Sequence, residues 1–358
     1  MEPGTRAKRA PTWNMNRLEE FTEIVGRGED LTEAQAEQSL ELILSEDTPD
    51  DDIAALLTAL AVKGESPAEI VGFARVMRRQ AIPVRSHHSR LIDTAGTGGG
   101  ADTFNISTAA VFVISGAGLP VAKHGNRALT SRCGSADVLE ALGVRIERSL
   151  EVAEHSLNEI GLAFMFAPHF HPAMKRVAPI RRELNRRTIF NLLGPLTNPA
   201  SAPFQIVGVY SSDLTEKLGR ALLALGCQRA CGFHSHDGLD ELSTGAPARV
   251  CEDGDKKVKN FDLDPKEFGF EVSSLDRFSG GSAQENADII RGILECRIQG
   301  PARDVVVLNA AAALHVADEG EMEEAIAMAS QSLDSGAALE KLSQLIEVYA
   351  REDGPGKK

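Results

Sequence analysis

The sequence predicts an α/β protein: a small N-terminal helical domain, then a large α/β domain whose mainly parallel central sheet is flanked by helices. Three observations predict it. Residues 16–82 carry helical periodicity and no strand-like run. From Leu91 onward, short apolar runs suited to buried parallel strands alternate with helical patterns. Two polar, glycine-bearing motifs directly follow such runs, which is where a parallel sheet gathers its ligands.

Residues 1–15 read as a disordered tail. Arg6, Lys8 and Arg9 precede no apolar stretch, so this is not a secretory signal, and Met15 is a second candidate start. The helical domain is expected over 16–84. Leu18, Phe21, Ile24 and Val25 mark its first helix. Thr32 with Gln35 forms a capping box ahead of a second, and Asp50 to Asp52 open a third. Ser66, Pro67 and Glu69 start a fourth, which runs to about Gln80. A basic helical segment near 172–190 is expected to return and complete this domain.

Pro83 to Ser89 reads as a linker. The α/β domain then spans 85–350, with strands at Leu91-Ile92-Asp93, Val121-Ala122-Lys123, Phe164-Met165-Phe166, 205–209 and 229–233. Helices are expected near 107–117, 135–142, 151–160 and 213–226. An Ala-rich segment at 304–317 and an amphipathic helix from about Ala337 to Tyr349 follow. Residues 351–358 read as a disordered tail. Ser86–Ser89 and His169–Pro172 are expected hinges.

The composition excludes several classes. With 38 basic and 52 acidic residues the net charge is −14, which argues against a general nucleic-acid or membrane-surface binder. No apolar run approaches the roughly 20 residues that span a bilayer. Five scattered cysteines suit free thiols in a reducing cytoplasm. Cys227-x-x-x-Cys231 lacks the spacing of a zinc knuckle.

The chemistry concentrates in four clusters. Gly96-Thr97-Gly98-Gly99-Gly100 lets backbone approach a ligand closely, and Asn105, Ser107 and Thr108 add polar groups where the next helix begins. This is neither a dinucleotide fingerprint nor a triphosphate loop. Lys123-His124-Gly125-Asn126-Arg127, followed by Ser131 and Ser135, supplies charge for phosphate. Asp240 and Glu241 suit a hard cation such as Mg²⁺ shared with substrate phosphates, or else cap a helix. His234 and His236 offer a weaker zinc alternative. His169 to Arg181 could supply a base or a carboxylate clamp, or only a surface ion pair. Together these define a Mg²⁺-dependent enzyme acting on a phosphorylated, ribosyl-type substrate.

In sequence order the landmarks are Gly96-Thr97-Gly98-Gly99, Thr103 to Thr108, Lys123 to Arg127, Gly134 to Glu140, Arg187 to Leu196 and Gly238 to Glu241. As a set they resemble the anthranilate phosphoribosyltransferase family, on the nucleoside-phosphorylase-like fold. The resemblance implies transfer of phosphoribose from phosphoribosyl pyrophosphate to anthranilate, with Mg²⁺, in a cytoplasmic homodimer built through the helical domain. It implies that Gly96, Gly99, Thr103, Asn105, Ile106, Ser107 and Thr108 line the phosphoribosyl pyrophosphate site. Lys123, His124, Gly125, Asn126, Arg127, Ser131 and Ser135 complete that site, with Lys123, Ser131 and Ser135 holding phosphates. Gly96, Asn126 and Arg181 would contact anthranilate, while Ser107, Asp240 and Glu241 would bind Mg²⁺. No nucleophile or general base is implied.

One departure is visible. The family's loop reads Gly-Thr-Gly-Gly-Asp-Gly, whereas here Gly99 is followed by Gly100 and the path to Thr103 is one residue shorter. Either Asp102 substitutes from its displaced position or the loop is slightly reshaped, and weaker or more metal-dependent use of phosphoribosyl pyrophosphate is expected. The alternatives are a pyrimidine-nucleoside phosphorylase and a non-catalytic nucleic-acid-binding relative.

Overall fold

The helical pattern at the N-terminus resolves into four helices, α1 (Met15–Gly26), α2 (Glu33–Ile43), α3 (Asp50–Lys63) and α4 (Pro67–Gln80). The structure, a computed structural model, describes residues 15–100, 102–128, 132–254 and 257–351. Of the expected tails at 1–15 and 351–358, residues 1–14 and 352–358 lie outside the described residues, as does Ser131. Both capping boxes form: Thr32 Oγ1 accepts from Gln35 N, and Ser66 Oγ accepts from Glu69 N. Glu69 is fully buried and receives Leu31 N at 3.0 Å and Lys63 Nζ at 3.0 Å, which joins α3 to α4.

The rest of the chain alternates. It runs β1 (Ile92–Gly96), α5 (Ile106–Gly116), β2 (Val121–Gly125), α6 (Ser135–Ala141), α7 (Leu150–Ile160) and β3 (Leu162–Phe166). Then come α8 (Ala167–Phe170), α9 (Met174–Leu184), α10 (Phe190–Leu196), β4 (Phe204–Gly208), α11 (Leu214–Ala224) and β5 (Arg229–Ser235). The hairpin β6 (Ala248–Gly254) and β7 (Lys257–Leu263) precedes α12 (Ala283–Leu294), α13 (Pro301–Val316), α14 (Met322–Asp334) and α15 (Ala337–Ala350).

One sheet of seven strands results, ordered β3-β2-β1-β4-β5-β6-β7. The first five strands in sequence are parallel, and β6 and β7 are antiparallel. The expected strands were all buried apolar runs, so the hairpin was missed. Its strands are mostly polar instead, as in Lys257-Val258-Lys259-Asn260-Phe261, because β7 is an edge strand whose residues 258 to 262 are all exposed. Helices α12 and α14 were missed as well, although Ser282 and Glu285 form a capping box that marks the start of α12.

Side-chain alternation along the strands splits the core between the two faces of the sheet. Phe204 and Ile206 on β4 join the cluster built from α5, α6, α12, α13, α14 and α15. Val207 and Val209 join the cluster that holds α1 to α4, Val177 and Ile180 of α9, and α10 and α11. The helical bundle therefore shares its core with one face of the sheet. Arg78 of α4 fastens it, donating to Leu196 O at 2.6 Å and to Leu225 O at 2.7 Å. Arg176 of α9 donates to Thr48 O at 2.6 Å in the α2–α3 turn. The stretch after α4 is pinned too: Val84 N–H donates to Pro199 O at 3.1 Å and Arg85 N–H to Glu154 Oε1 at 2.8 Å. Among the described residues no helix is long and apolar enough to cross a membrane.

Candidate active site

The strand order reverses between β1 and β4. From β1 the chain builds outward through β2 and β3, then returns to place β4 on the other side of β1. Connections leave in opposite directions there, so a crevice opens at the carboxyl ends of these two strands. Gly96 and Gly208 are register partners at that point. A Cβ at Gly208 would stand 1.6 Å from the carbonyl oxygen of Asp240, so glycine alone lets the loop after β5 fold over the strand end.

That loop delivers the acidic pair. Ser235 Oγ donates to Glu241 O at 2.7 Å. The buried Asn309 of α13 accepts from Leu242 N at 3.0 Å and donates to Leu242 O at 2.8 Å. The Asp240 carboxylate lies against the glycine loop: Cβ atoms at Gly96 and Gly100 would meet its oxygens at 3.1 and 2.7 Å. Burial holds the Glu241 carboxyl well above its ordinary range, the neighbouring charge of Asp240 adds to this, and Lys123 opposes it.

Lys123 ends inside the same cluster. It is buried at the middle of β2, and Nζ donates to Thr94 O at 3.0 Å and to Ser107 Oγ at 3.4 Å. Burial pushes its ammonium down to about 8, while Asp93 and Glu241 work the other way. Asp93, fully buried on β1, is pushed up to about 6 by the same burial. Gln205 of β4 donates to its Oδ2 at 3.2 Å. One ammonium thus lies between two carboxylates, Asp93 and Glu241, and the first turn of α5.

Asn105 joins the two loops, donating from Nδ2 to Cys133 O at 3.0 Å and accepting from the buried Asn286 at 2.9 Å. Thr103 bridges to Ser279, Thr108 is buried in α5, and Ile106 is core whose contribution to a ligand is limited to its backbone. Gly125 packs against Ser135, whose Oγ donates to Asn126 O at 3.4 Å. Asn126 is exposed, and its Oδ1 accepts Arg127 N–H at 2.8 Å.

The guanidinium of Arg127 binds Glu140, Asp137 at 3.3 Å and Glu147 at 3.4 Å, so three carboxylates already surround it. Asp102 lies on the exposed side, 3.4 Å from Arg132, while Gly100 takes the place beside Asp240. His234 Nδ1 is bound to Val209 O at 2.7 Å. No group of three or more His, Cys, Asp or Glu that could hold a metal occurs among the described residues. A cation at Asp240 and Glu241 would therefore need ligands from a substrate, which suits Mg²⁺.

Arg181 of α9 is half-buried over the Phe190 ring, 5.4 Å from its centroid. Burial lowers its affinity for the proton, and among the described residues no carboxylate opposes it. The rings of His124 and His171 are 4.9 Å apart. Burial holds them near 3 and 4, so both are neutral at pH 7. The sequence reading assigned no role to Asp93, Gln205, Asn286, Asn309, Arg187 or Tyr210. Arg187 opens a motif that was seen, but nothing local reveals what the others touch.

Fold and site together define a glycosyltransferase built from a helical bundle and an α/β domain. Residues 19–81 match the model for the glycosyl transferase family helical bundle domain, and residues 88–339 match its a/b domain. An anthranilate phosphoribosyltransferase of Rubrobacter xylanophilus is 49% identical over 341 residues, covering 95% of this chain and 99% of that relative. The enzyme of that name from Moorella thermoacetica is 48% identical over 321 residues, covering 89% and 94%. The crystal structure of the Thermus thermophilus enzyme superposes with a TM-score of 0.87 at 40% identity, covering 92% of this chain and 99% of that one. The Saccharomyces cerevisiae enzyme in complex with PRPP and Mg gives 0.85 at 29% identity, covering 94% and 98%. The chain belongs to the anthranilate phosphoribosyltransferase family.

Proposed function

We propose that this protein transfers the phosphoribosyl group of 5-phosphoribosyl 1-pyrophosphate to the amine of anthranilate. The products are N-(5-phosphoribosyl)anthranilate and pyrophosphate, a step of tryptophan biosynthesis. The observation that carries this reading is the buried Lys123 set among Ser107, Asp93 and Glu241 at the reversal point of the sheet.

In the reaction the bond from the anomeric carbon to the pyrophosphate oxygen breaks, and a bond to the aromatic nitrogen forms. Positive charge grows on the ribose and negative charge on the leaving group. The Lys123 ammonium faces that negative charge from a desolvated position. The glycine loop offers backbone N–H groups, and Ser135 adds a hydroxyl. Asp240, Glu241 and Ser107 would hold Mg²⁺, which would supply charge neutralisation for the pyrophosphate. The family's complex with PRPP and Mg supports that assignment.

Arg181 meets the anthranilate carboxylate, and its lack of any opposing carboxylate among the described residues supports an anionic acceptor. Asn126 and Gly96 lie at the strand ends between the two substrates. The arylamine is a nucleophile as it stands and loses its proton after the new bond forms, so positioning supplies much of the rate. Domains of 16–84 with 172–190, and of 85–350, fit a cytoplasmic homodimer joined through the helical bundle. Val62 on α3, 72% exposed, supports that face.

Loss of anthranilate fluorescence on mixing enzyme, phosphoribosyl pyrophosphate and Mg²⁺ tests the reading. No loss at high enzyme concentration would reject it. A nucleoside phosphorylase has no use for an Arg181 that no carboxylate among the described residues opposes.

A further inference from the structure

The glycine loop cannot hold its own shape. Gly96, Gly98, Gly99 and Gly100 have no side chains, and fixing the backbone of so flexible a chain costs conformational entropy. A loop left free would be ordered by the substrate at the expense of affinity.

Something outside the loop already holds it. Gly99 sits at φ +92°, and a Cβ there would stand 1.9 Å from Nη2 of Arg187. That nitrogen donates to the Gly99 carbonyl at 3.2 Å, and the guanidinium lies 3.9 Å from the centroid of the Tyr210 ring. Tyr210 is bound to the same loop, its N–H donating to Thr97 Oγ1 at 3.0 Å. The Thr97 N–H in turn donates to Gly208 O at 2.9 Å. Arg187 lies on the connector 185–189 between α9 and α10, so a segment packed on the helical bundle reaches across to the loop.

We propose that Arg187 is a positioning residue for the glycine loop. Packed over the Tyr210 ring and bonded to Gly99, it sets the conformation in which the loop receives the donor's pyrophosphate, and this rests on the transferase reading above. A guanidinium is required, because it can hold its charge over the ring while a terminal nitrogen donates to the carbonyl. An ammonium carries the charge but cannot do both.

Steady-state kinetics of R187A, R187K, Y210L and Y210F test this. R187A and Y210L are expected to raise KM for phosphoribosyl pyrophosphate about tenfold, the scale of one charged hydrogen bond with its stacking. KM for anthranilate and kcat at saturation should stay within about twofold. Y210F, which keeps the ring, should behave as the parent, and R187K should behave as R187A. The double variant R187A/Y210L should be no worse than R187A, because the two residues act as a unit. An unchanged KM in both R187A and Y210L overturns the proposal. Full rescue by R187K also overturns it, since charge alone would then suffice.

If R187A does not fold, Y210L carries the test. Hydrogen exchange of Gly98 to Gly100 in the ligand-free protein gives a readout independent of the reaction. Faster exchange in Y210L supports the clamp, and unchanged exchange rejects it, even if the parent enzyme fails to consume anthranilate.

Discussion

The two ligand loops at the carboxyl ends of β1 and β2 are neighbours in space but are held in opposite ways. The loop after β2 closes on itself. Asp137 Oδ2 accepts from Ala128 N and Gly134 N, both at 2.9 Å, tying the two ends of the loop to the first turn of α6. Arg127 adds bonds to Asp137, Glu140 and Glu147, all within 20 residues. The glycine loop is held by Arg187, Tyr210 and Asp240, which are about 90 to 140 residues away in the chain. A loop with side chains carries its own fastenings. A loop of glycines, chosen so that backbone can meet phosphate, must take its shape from elsewhere.

The largest expected effect comes from Lys123, where the two loops meet. Lys123→Met removes the ammonium that faces the leaving group, and kcat should fall by about 100- to 1000-fold, the scale of losing a preorganised charge contact. Initial rates at saturating substrates measure it, with circular dichroism confirming the fold. A loss below tenfold would shift the weight of catalysis to the glycine loop alone.

Acid sharpens the contrast, because the two sides respond with opposite sign. His124 and His171 take up protons near 6.5 in the unfolded chain but only near 3 and 4 when buried. The unfolded chain therefore binds more protons below about 6.5, and stability on the β2 side falls as pH drops through that window. Glu241 is the reverse: its folded value lies above the ordinary 4.5, so the folded state takes its proton first and the Asp240–Glu241 repulsion eases as pH falls. Hydrogen exchange corrected for intrinsic rates, compared at pH 7 and 5, should show lost protection at 121–125 and retained or increased protection at 238–242. Parallel changes in both segments would contradict it.

Arg127 should have the smallest effect. Its guanidinium is exposed and shared among surface carboxylates, and such pairs contribute at most about 1 kcal/mol. Arg127→Ala is expected to lower the melting temperature by a few degrees and to leave kcat/KM within about threefold. A tenfold loss would return Arg127 to the phosphate site that its motif implied.

Much of the fold could be read because its signals are local. The caps at Thr32 and Ser66, the apolar runs of the five parallel strands and the acidic start of α3 each fall within one turn or one strand of sequence. The β6–β7 hairpin could not be read by the same means. Its mostly polar strands lack the apolar run that marks a buried one, and their partners are assigned by the sheet. Within the site, Lys123, Ser107, Asp240 and Glu241 were chosen as chemical types by their motifs. Asp93 and Asn309 are ordinary residues in an apolar strand and an Ala-rich helix until the fold sets them beside Lys123 and Leu242.

By itself the sequence determined most of the helices, the parallel strands, the order of the motifs and the family, because each is written in short-range periodicity and residue type. Only the tertiary structure decided that Arg127 faces carboxylates, that Arg187 and Tyr210 clamp Gly99, and that Gly208 makes room for Asp240. Those facts depend on which distant backbone and charge arrive at the reversal point of the sheet. Chain closure and burial set that, and no local pattern encodes it.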